Sequence, residues 1–531
     1  MKILVADRIS PLGVEYLKKQ DGFAVVEAYG LSPEEVVEHA KDASAIIVRS
    51  DTRITREVME SAPLLKAVGR AGVGVDNIDI EAATERGVIV MNTPGGNTIA
   101  TAELTFTHML CGTRPIVRGA SGMREGKWER KQLKGAELRN KTLAVLGLGR
   151  IGAEVSKRAQ AFEMTVIAYD PYLTDERAKE LEIEKVDLDE AFSRADYLTV
   201  HMPMTPQTKG MVDESAFAKM KDGVRIFNCA RGGIIKESAL VDALKSGKVA
   251  AAGLDVYEQE PLPEDHEFRT LDNLILTPHL GASTEEAQES VGVEIAEAIA
   301  EVLQGGRIRN AINMPSIDPK DLITLKPYLE LCMRLGAFAR QAARGTVQSL
   351  HITYWGGMVD FDSIPLTRAV QKGWLNGIAG DEGINDVNAP YKIKALGIKV
   401  ETTKSSSSVD YNELIEVRTI DADGKEQSVR GTIIGKNADP RIVEVDGEAI
   451  EARPVDTLLV VRNLDKPGIV GKVGTILGQY GVNIANMSLS RSEGSESALT
   501  ILELDNEPSA EVLEKLVADP DIQEARVSCQ K

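Results

Sequence analysis

Lys141–Pro171 reads KTLAVLGLGRIGAEVSKRAQAFEMTVIAYDP, and the reading of this stretch decides the fold. An apolar, strand-like run ends in Gly147-x-Gly149-x-x-Gly152. A helical pattern opens at once, and a second apolar run closes on Asp170, eighteen residues after Gly152. Each glycine answers a physical need of a dinucleotide-binding turn. Gly147 permits the tight bend, Gly149 lets the backbone approach a pyrophosphate, and Gly152 lets helix and strand pack closely. The helix N-terminus, with Arg150 and Ile151 inside the motif, then faces the phosphates with unpaired N–H groups. Asp170 stands where a carboxylate takes the adenosine ribose diol. It would repel a 2′-phosphate, and Pro171 follows where an arginine would welcome one. NAD is therefore expected rather than NADP.

The same rhythm runs outward from this stretch. KILVAD, SAIIVRS, LKAVGR, GVIVMN, YLTVHMP, VRIFNCA, AAGLDV and NLILTPH alternate with amphipathic segments, which predicts βα units around parallel sheets. From Thr98 to Met123 apolar residues recur at helical spacing, with no proline before Pro115, so a helix joining two α/β lobes is expected there. After Pro315 the character changes. Helical text near residues 325–345 precedes β-rich text with hairpin signals at Asp423-Gly424 and Asp446-Gly447, and the run Ser405–Ser408 reads as a loop. This is an α+β unit. From Thr457 the order is strand, helix, strand, strand, helix, strand, the ferredoxin-like βαββαβ layout.

Bulk properties exclude several classes. A chain of 531 residues predicts several domains. A formal charge of −19, with only 4% aromatic residues, argues against nucleic acid as a partner, since a polyanion is repelled and stacking platforms are few. No apolar run approaches the roughly 20 residues that cross a bilayer, so no membrane role is expected. The opening MKILVADRIS has no targeting pattern, and the mature chain is expected to begin at Met1. Cys111, Cys229, Cys332 and Cys529 lie far apart without a C-x-x-C pair, so neither a metal site nor a disulfide framework is expected and a reducing cytoplasm fits.

Three later segments each bring a reactive side chain to the end of an apolar strand, the edge where open α/β sheets bind ligands. Arg231 follows VRIFNCA, Glu260 follows GLDVYEQ, and His279 ends NLILTPH. Hydride transfer at a 2-hydroxy acid needs a base for the hydroxyl proton, a cation for the carboxylate and a group that tunes the base. Histidine, arginine and glutamate supply these, since a carboxylate neighbour keeps an imidazole protonated to higher pH. On spacing alone Glu258, Glu264 and Glu267 compete with Glu260, and His201 and His108 are rival bases. His201 reads as lining the cofactor cleft and His108 as packed in a helix.

These residues carry a resemblance. Cys229-Ala230-Arg231-Gly232-Gly233, Gln259-Glu260-Pro261 and Pro278-His279-Leu280-Gly281-Ala282-Ser283-Thr284 resemble the three signatures of the D-2-hydroxyacid dehydrogenase family. The resemblance implies that Arg231 binds the substrate's carboxylate and carbonyl, that His279 is the acid/base, and that Glu260 is its partner. It places Asp255 against the nicotinamide carboxamide and Ala230 in the nicotinamide pocket, with Cys229, His201, Gly281 and Ala282 also on the cofactor side.

The substrate side reads from the first lobe. Arg49 ends SAIIVR, Arg70 ends LKAVGR, and Gly72-Val73-Gly74 follows. Two guanidiniums beside a glycine turn make an anion pocket and predict a substrate with a second negative group such as a phosphate. The alternative is that these arginines pair with Asp51, Asp76 or Asp79. Over its whole length the chain resembles the long-form 3-phosphoglycerate-oxidising branch of that family, with two catalytic lobes, an intervening domain and a C-terminal ACT domain. The implied bounds are 1–97 and 283–314 for the substrate lobe, 98–282 for the NAD-binding Rossmann domain, 315–455 for the intervening domain and 456–531 for the ACT domain. The implied reaction is NAD-dependent oxidation of D-3-phosphoglycerate at the start of L-serine synthesis. Arg70, Val73 and Gly74 match the branch's substrate loop, with Val73 where a threonine is often found, and Asn97 is a further substrate contact. Trp128, Arg130 and Lys131 resemble a segment that crosses a dimer interface, which implies a dimer or tetramer.

In ACT domains a small amino acid binds between paired copies, at positions matched here by Asn463, Asp465, Asn483 and Ile484. A carboxylate there can take an ammonium while helix-terminal N–H groups take a carboxylate. L-serine is the expected effector, and pure assembly is the alternative. The VNAP segment, Val387–Pro390, also matches the branch, and Arg453 is a candidate for an anion site nearby. Two other functions stay open: a glyoxylate or hydroxypyruvate reductase on the same scaffold, and an NAD-sensing scaffold like the transcriptional corepressors that share the fold. The arginine pair and the long C-terminal portion speak against the first, and the intact Arg231, Glu260 and His279 set speaks against the second.

Overall fold

Apolar runs such as SAIIV and TLAVL cannot leave either face in water, so they lie in parallel sheets covered by helices. The computed structural model describes residues 1–315, 317, 319–376, 383–455, 457–491 and 496–529. Its first five strands, β1 (Lys2–Val5), β2 (Ala24–Glu27), β3 (Ala43–Val48), β4 (Ala67–Arg70) and β5 (Ile89–Met91), form a parallel sheet in the order β2-β1-β3-β4-β5. The next seven are β6 (Thr142–Leu146), β7 (Thr165–Tyr169), β8 (Glu184–Lys185), β9 (Tyr197–Val200), β10 (Val224–Asn228), β11 (Val249–Leu254) and β12 (Leu274–Leu276). They form a second parallel sheet in the order β12-β11-β10-β9-β6-β7-β8. Strand order reverses beside β1 in the first sheet and between β6 and β9 in the second, and such switch points open ligand crevices at the carboxyl ends of strands. β8 was not legible as a strand because it is two exposed polar residues, whereas β2, a four-residue edge exposed at both ends, lies in the short apolar run Phe23–Val26 that the alternating pattern left out.

The expected long connecting helix is two helices, Thr98–Thr113 and Ile116–Arg124. Pro115 explains the break, since the residue before a proline is pushed out of the helical region, and Arg114 sits at φ −118, ψ 119. The first of these helices packs on the second sheet, burying Phe106, His108 and Met109. The long helix Glu285–Leu303 returns to the first lobe, where Val291, Ile295 and Ile299 share a core with Ile3, Val5 and Ile47.

Six further strands follow: β13 (Val347–Gly356), β14 (Lys399–Ser405), β15 (Glu413–Asp421), β16 (Glu426–Ile434), β17 (Asp439–Val445) and β18 (Glu448–Ala452). Their order is β14-β13-β15-β16-β17-β18, antiparallel except for the first pair. The hairpin turn at Asp446-Gly447 has φ 51 and φ 84, the left-handed pair that a two-residue hairpin demands. Helix Pro319–Ala342 packs on this sheet through Leu331, Leu335 and Phe338. The last four strands, β19 (Thr457–Leu464), β20 (Ile484–Arg491), β21 (Ser497–Leu504) and β22 (Ile522–Cys529), run antiparallel in the order β20-β21-β19-β22. Alternation sorts their side chains: Leu459, Val461 and Leu502 meet the helices Ile469–Gln479 and Ala510–Val517, whereas Leu458, Leu499 and Ile501 join the core of the preceding domain.

The intervening domain also grips the first lobe. Asn385 Nδ2 donates to the Gly87 carbonyl at 2.8 Å, and Gly87 ends helix Ile80–Arg86 in the left-handed conformation, φ 73. Among the described residues no helix is long and apolar enough to cross a membrane.

Candidate active site

The turn after β6 is built to receive a phosphate. No side chain caps helix Arg150–Ala161, which starts after Gly149, so its first N–H groups stay open. Gly147 has φ 94, and a Cβ there would lie 2.8 Å from the His201 carbonyl. A Cβ on Gly152 would collide with the Gly147 carbonyl, whereas one on Gly149 would meet nothing within 4 Å. The middle glycine therefore faces open space, which suits a pyrophosphate. Asp170 accepts the N–H groups of Leu148 and Tyr172, each at 2.8 Å. That fixes its carboxylate beside the turn and leaves lone pairs for a ribose diol. These residues fit NAD.

His201 lies behind the turn, its N–H donating to Leu146 O at 2.8 Å and its Nε2 3.0 Å from Thr199 Oγ1. Burial pushes its pKa down to about 3, so it is neutral and poorly poised as a base at ordinary pH. Burial likewise pushes the Cys229 thiol up to about 12, and this side chain is packing, not a nucleophile. Ala230 N–H donates to Asn228 Oδ1 at 2.9 Å, while Asn228 Nδ2 donates to the Arg231 carbonyl at 2.8 Å. The buried Asn228, which sequence reasoning missed, thus shapes the loop that presents Arg231.

Asp255 is fully buried directly after β11. Its carboxylate accepts Thr277 Oγ1 at 2.6 Å, Leu280 N at 2.7 Å and Gly281 N at 2.8 Å. Its hydrogen bonds go to the turn that carries His279, so the structure places this expected cofactor contact underneath that turn. The support matters because His279 has φ 54, a conformation costly for a residue with a Cβ. Gly281 is buried against the same carboxylate and Ala282 is half-buried beside it.

His279 Nδ1 lies 2.7 Å from Glu260 Oε2, and Glu260 Oε1 accepts Tyr257 N–H at 3.0 Å. That hydrogen bond raises the His279 pKa above its ordinary value, against the opposing effect of burial. Burial also lifts the Glu260 carboxyl, but hydrogen bonds from His279 and Tyr257 outweigh it and the net direction is down. Of the competing acids, Glu258 accepts Glu237 N–H and Glu267 pairs with Lys245. His108 sits beneath the turn, its Nε2 3.1 Å from Thr277 Oγ1, with its pKa lowered by burial.

Across the cleft, Arg231 Nε reaches Asp76 Oδ2 of the first lobe at 3.3 Å. Arg70 is largely buried, and burial together with the positive charges of Arg231 and Arg49 pushes its guanidinium down to about 10. Among the described residues neither Arg49 nor Arg70 forms an ion pair. Asp79 instead caps Ala82 N at 2.9 Å, and Asp51 accepts Ser50 Oγ at 3.3 Å. Arg70 Nε, Thr93 Oγ1, Asn97 Oδ1 and Thr98 Oγ1 are buried without partners. Buried polar groups are ordinarily bonded, so these orphans mark a prepared polar surface. Thr93 and Thr98 were not foreseen, although hydroxyls flanking Asn97 in NTPGGNT were the available signal. Val73 contributes its carbonyl, which accepts Asn92 Nδ2 at 2.5 Å, and Gly74 lies under the Arg231 guanidinium.

The C-terminal candidates are differently placed. Asn463 is buried, with Nδ2 on the Leu464 carbonyl at 2.8 Å and Oδ1 without a partner. Asp465 pairs with Arg491 at 3.2 Å, Asn483 donates to Asp505 Oδ2 at 2.7 Å, and Ile484 opens β20 half-buried. Arg453 is held by Glu503 at 3.0 Å, so its charge is already answered and it makes no free anion site. Trp128, 79% exposed, lies with Arg130 and Lys131 on an irregular surface segment. Among the described residues no cluster of His, Cys, Asp or Glu is placed to hold a metal ion.

A glycine turn open to a pyrophosphate, a paired histidine and glutamate, and a cluster of arginines together define a class, the NAD-dependent D-2-hydroxyacid dehydrogenases. Residues 106–281 match the model of the D-isomer specific 2-hydroxyacid dehydrogenase NAD binding domain. Residues 324–446 match the D-3-phosphoglycerate dehydrogenase intervening domain, and residues 457–521 match the ACT domain. A D-3-phosphoglycerate dehydrogenase of Methanocaldococcus jannaschii is 45% identical, with 99% of each chain covered, and one of Archaeoglobus fulgidus is 43% identical, with 97% of each covered. Among solved structures, a D-lactate dehydrogenase from Aquifex aeolicus complexed with NAD and lactic acid is 28% identical. That match covers 60% of this chain and 100% of the other, at a TM-score of 0.53. The TT0316 protein of Thermus thermophilus is 35% identical, covering 59% and 100%, at a TM-score of 0.55. The chain belongs to the D-3-phosphoglycerate dehydrogenase family, in its long form with intervening and ACT domains. It is an NAD-dependent oxidoreductase acting on a small hydroxy acid.

Proposed function

We propose that the chain oxidises D-3-phosphoglycerate to 3-phosphohydroxypyruvate, the first step of the phosphorylated route to L-serine. One observation carries this reading: among the described residues Arg49 and Arg70 form no ion pair with a carboxylate, and they lie near Arg231, whose charge is also felt by the His279–Glu260 pair. A small acid with a carboxylate at one end and a phosphate at the other matches that charge distribution. Arg231 takes the carboxylate and the oxygen on carbon 2. Arg49 and Arg70 take the phosphate, with Asn97 and the backbone around Val73 and Gly74 completing the pocket. His279 accepts the hydroxyl proton as the carbonyl forms, and Glu260 steadies the resulting imidazolium. The Gly147–Gly152 turn with Arg150, Ile151 and Asp170 would hold NAD, with Ala230, Asp255, Gly281 and Ala282 on the nicotinamide side, and the bound cofactor would supply the hydride acceptor for carbon 2. The names of the two archaeal relatives support the same substrate.

The test is steady-state NADH formation. kcat/KM for D-3-phosphoglycerate should exceed that for D-glycerate by roughly a hundredfold, the scale of one or two charge-assisted hydrogen bonds. Equal values would reject the phosphate assignment. L-serine is read as the effector, taken at Asn463, Asp465, Asn483 and Ile484 of paired ACT domains. A serine titration should lower turnover of the full chain and lose that effect in Asp465→Ala. The working form is read as a dimer or tetramer, which light scattering decides. The cytoplasm is the proposed compartment, in keeping with a sequence whose four cysteines lie far apart and make no C-x-x-C pair.

A further inference from the structure

We propose that Asp76 is the internal counter-ion of the substrate site: in the ligand-free enzyme it holds Arg231 in place of the substrate's carboxylate, and the incoming acid displaces it. The inference rests on the reading of Arg231 as the carboxylate-binding residue.

The pair is a contact between lobes. Arg231 follows β10 in the second sheet and Asp76 follows β4 in the first, and their 3.3 Å ion pair spans the cleft between them. The loop makes room for it. A Cβ on Gly74 would collide with the Arg231 guanidinium and lie 2.8 Å from Asp76 Oδ2, so the two charged groups meet over a bare Cα.

The loop's own shape is held by others. Asn77 donates to the Arg49 and Thr52 carbonyls at 2.8 and 2.6 Å, Asp79 caps the following helix, and Asn92 holds the Val73 carbonyl. Among the described residues the Asp76 carboxylate takes part in none of this anchoring, and it is 75% exposed. A carboxylate that anchors nothing and faces a guanidinium answers a charge.

The charge it answers is the convergence of Arg231, Arg70 and Arg49, whose mutual repulsion is felt at Arg70 together with the opposing effect of Asp76. A bound phosphorylated acid would neutralise that convergence. Before it arrives, Asp76 does so in part. Exposed ion pairs change an equilibrium by a factor of roughly two to five, so the pair is strong enough to set the Arg231 side chain and weak enough to be exchanged for a ligand. Arg231 meanwhile keeps a second anchor, NH1 donating to the Ala230 carbonyl at 2.7 Å, which holds its position through the exchange.

The experiment uses the full chain as wild type, Asp76→Asn and Asp51→Asn. The last removes the same charge from the same lobe but not from opposite Arg231. Oxalate binding is read from the rise in thermal midpoint in the presence of NAD, and KM and kcat are measured with D-3-phosphoglycerate. D76N should tighten oxalate and lower KM, each by roughly two- to fivefold, with kcat unchanged, while D51N should produce less than half of either change. A higher KM or a lower kcat in D76N would mean that Asp76 orients Arg231 for catalysis and would overturn the proposal. Equal shifts in D51N would reduce it to general electrostatics and overturn it as well. Should the wild type fail to oxidise D-3-phosphoglycerate, the substrate reading falls, and the oxalate measurement still decides the role of Asp76.

Discussion

Arginines do opposite work in the two halves of the molecule. In the C-terminal half three arginines near the junction with the ACT domain are answered by carboxylates. Arg430 lies between Glu416 at 2.9 Å and Glu444 at 3.0 Å, Arg462 meets Glu448 at 2.5 Å and Asp446 at 2.8 Å, and Arg453 meets Glu503 at 3.0 Å. In the cleft, among the described residues, Arg49 and Arg70 have no such partners, and Arg70 is largely buried as well. Burial of an unpaired cation is costly, so a protein that retains one has a reason outside its own stability. The paired arginines join strands and domains, and a third arrangement is Arg368, which holds the Asn313 and Asp386 carbonyls at 3.3 and 2.9 Å; Arg70, buried with its Nε unpartnered, fits the proposed phosphate site. Arg453 shows why composition alone misleads: it suggested an anion site until Glu503 was found beside it.

The sharpest way to break this contrast is at the catalytic pair. His279→Ala should lower kcat by about 10² to 10⁴-fold, the usual contribution of a positioned acid/base, while NADH binding followed by fluorescence stays intact. Retained turnover would remove the dehydrogenase chemistry from this cleft. Arg70→Ala comes next. kcat/KM for the phosphorylated substrate should fall roughly ten- to a hundredfold, yet the thermal midpoint should hold or rise, because a buried unpaired charge has been removed. Arg453→Ala should do the reverse. It leaves Glu503, nearly inaccessible, short of its cation, so stability to denaturant should drop by about 1–3 kcal/mol with kcat unchanged.

The smallest effect sharpens rather than breaks the comparison. Glu260 raises the His279 pKa, and oxidation needs the neutral imidazole. The oxidative rate should therefore fall, as pH drops, around a midpoint above the ordinary histidine value of about 6.5. Glu260→Gln withdraws the stabilisation of the imidazolium, so that limb should move to lower pH. The sign is the same for stability: the pair stabilises the fold fully below the unfolded value, and the contribution is lost as pH rises through the raised one. A limb that stays in place or moves upward would detach Glu260 from this role.

How much of this was legible follows from the physics of each feature. Glycine turns and continuous apolar strands announce themselves, because few other sequences satisfy their geometry, and so the two parallel sheets and the Gly147–Asp170 unit were readable. Arg231, Glu260 and His279 were readable as strand-end residues, and although spacing alone left Glu258, Glu264 and Glu267 in competition, the resemblance selected Glu260, which stands 2.7 Å from His279. The edge strand β8, two exposed polar residues, carries no burial pattern and stayed hidden, whereas β2 was legible in principle from the apolar run Phe23–Val26. The bracing of the Arg231 loop by Asn228 and the hydrogen bonds that tie Asp255 to the His279 turn stayed hidden as well, since a buried polar residue that braces a turn looks in sequence like one that faces a ligand. The break at Pro115 was readable in principle, because the rule that a proline disturbs the residue before it applies to Arg114 without any coordinates.

The hydrogen bond from Asn385 to Gly87 fixes which half of the clam carries the cargo. It ties the intervening domain, and the ACT domain packed on it, to the body that holds Arg49 and Arg70. Any displacement of the first lobe against the NAD-binding lobe would therefore carry the C-terminal half along with it, so a load placed on those trailing domains would bear on the body that carries Arg49 and Arg70 and not on the one that carries the glycine turn.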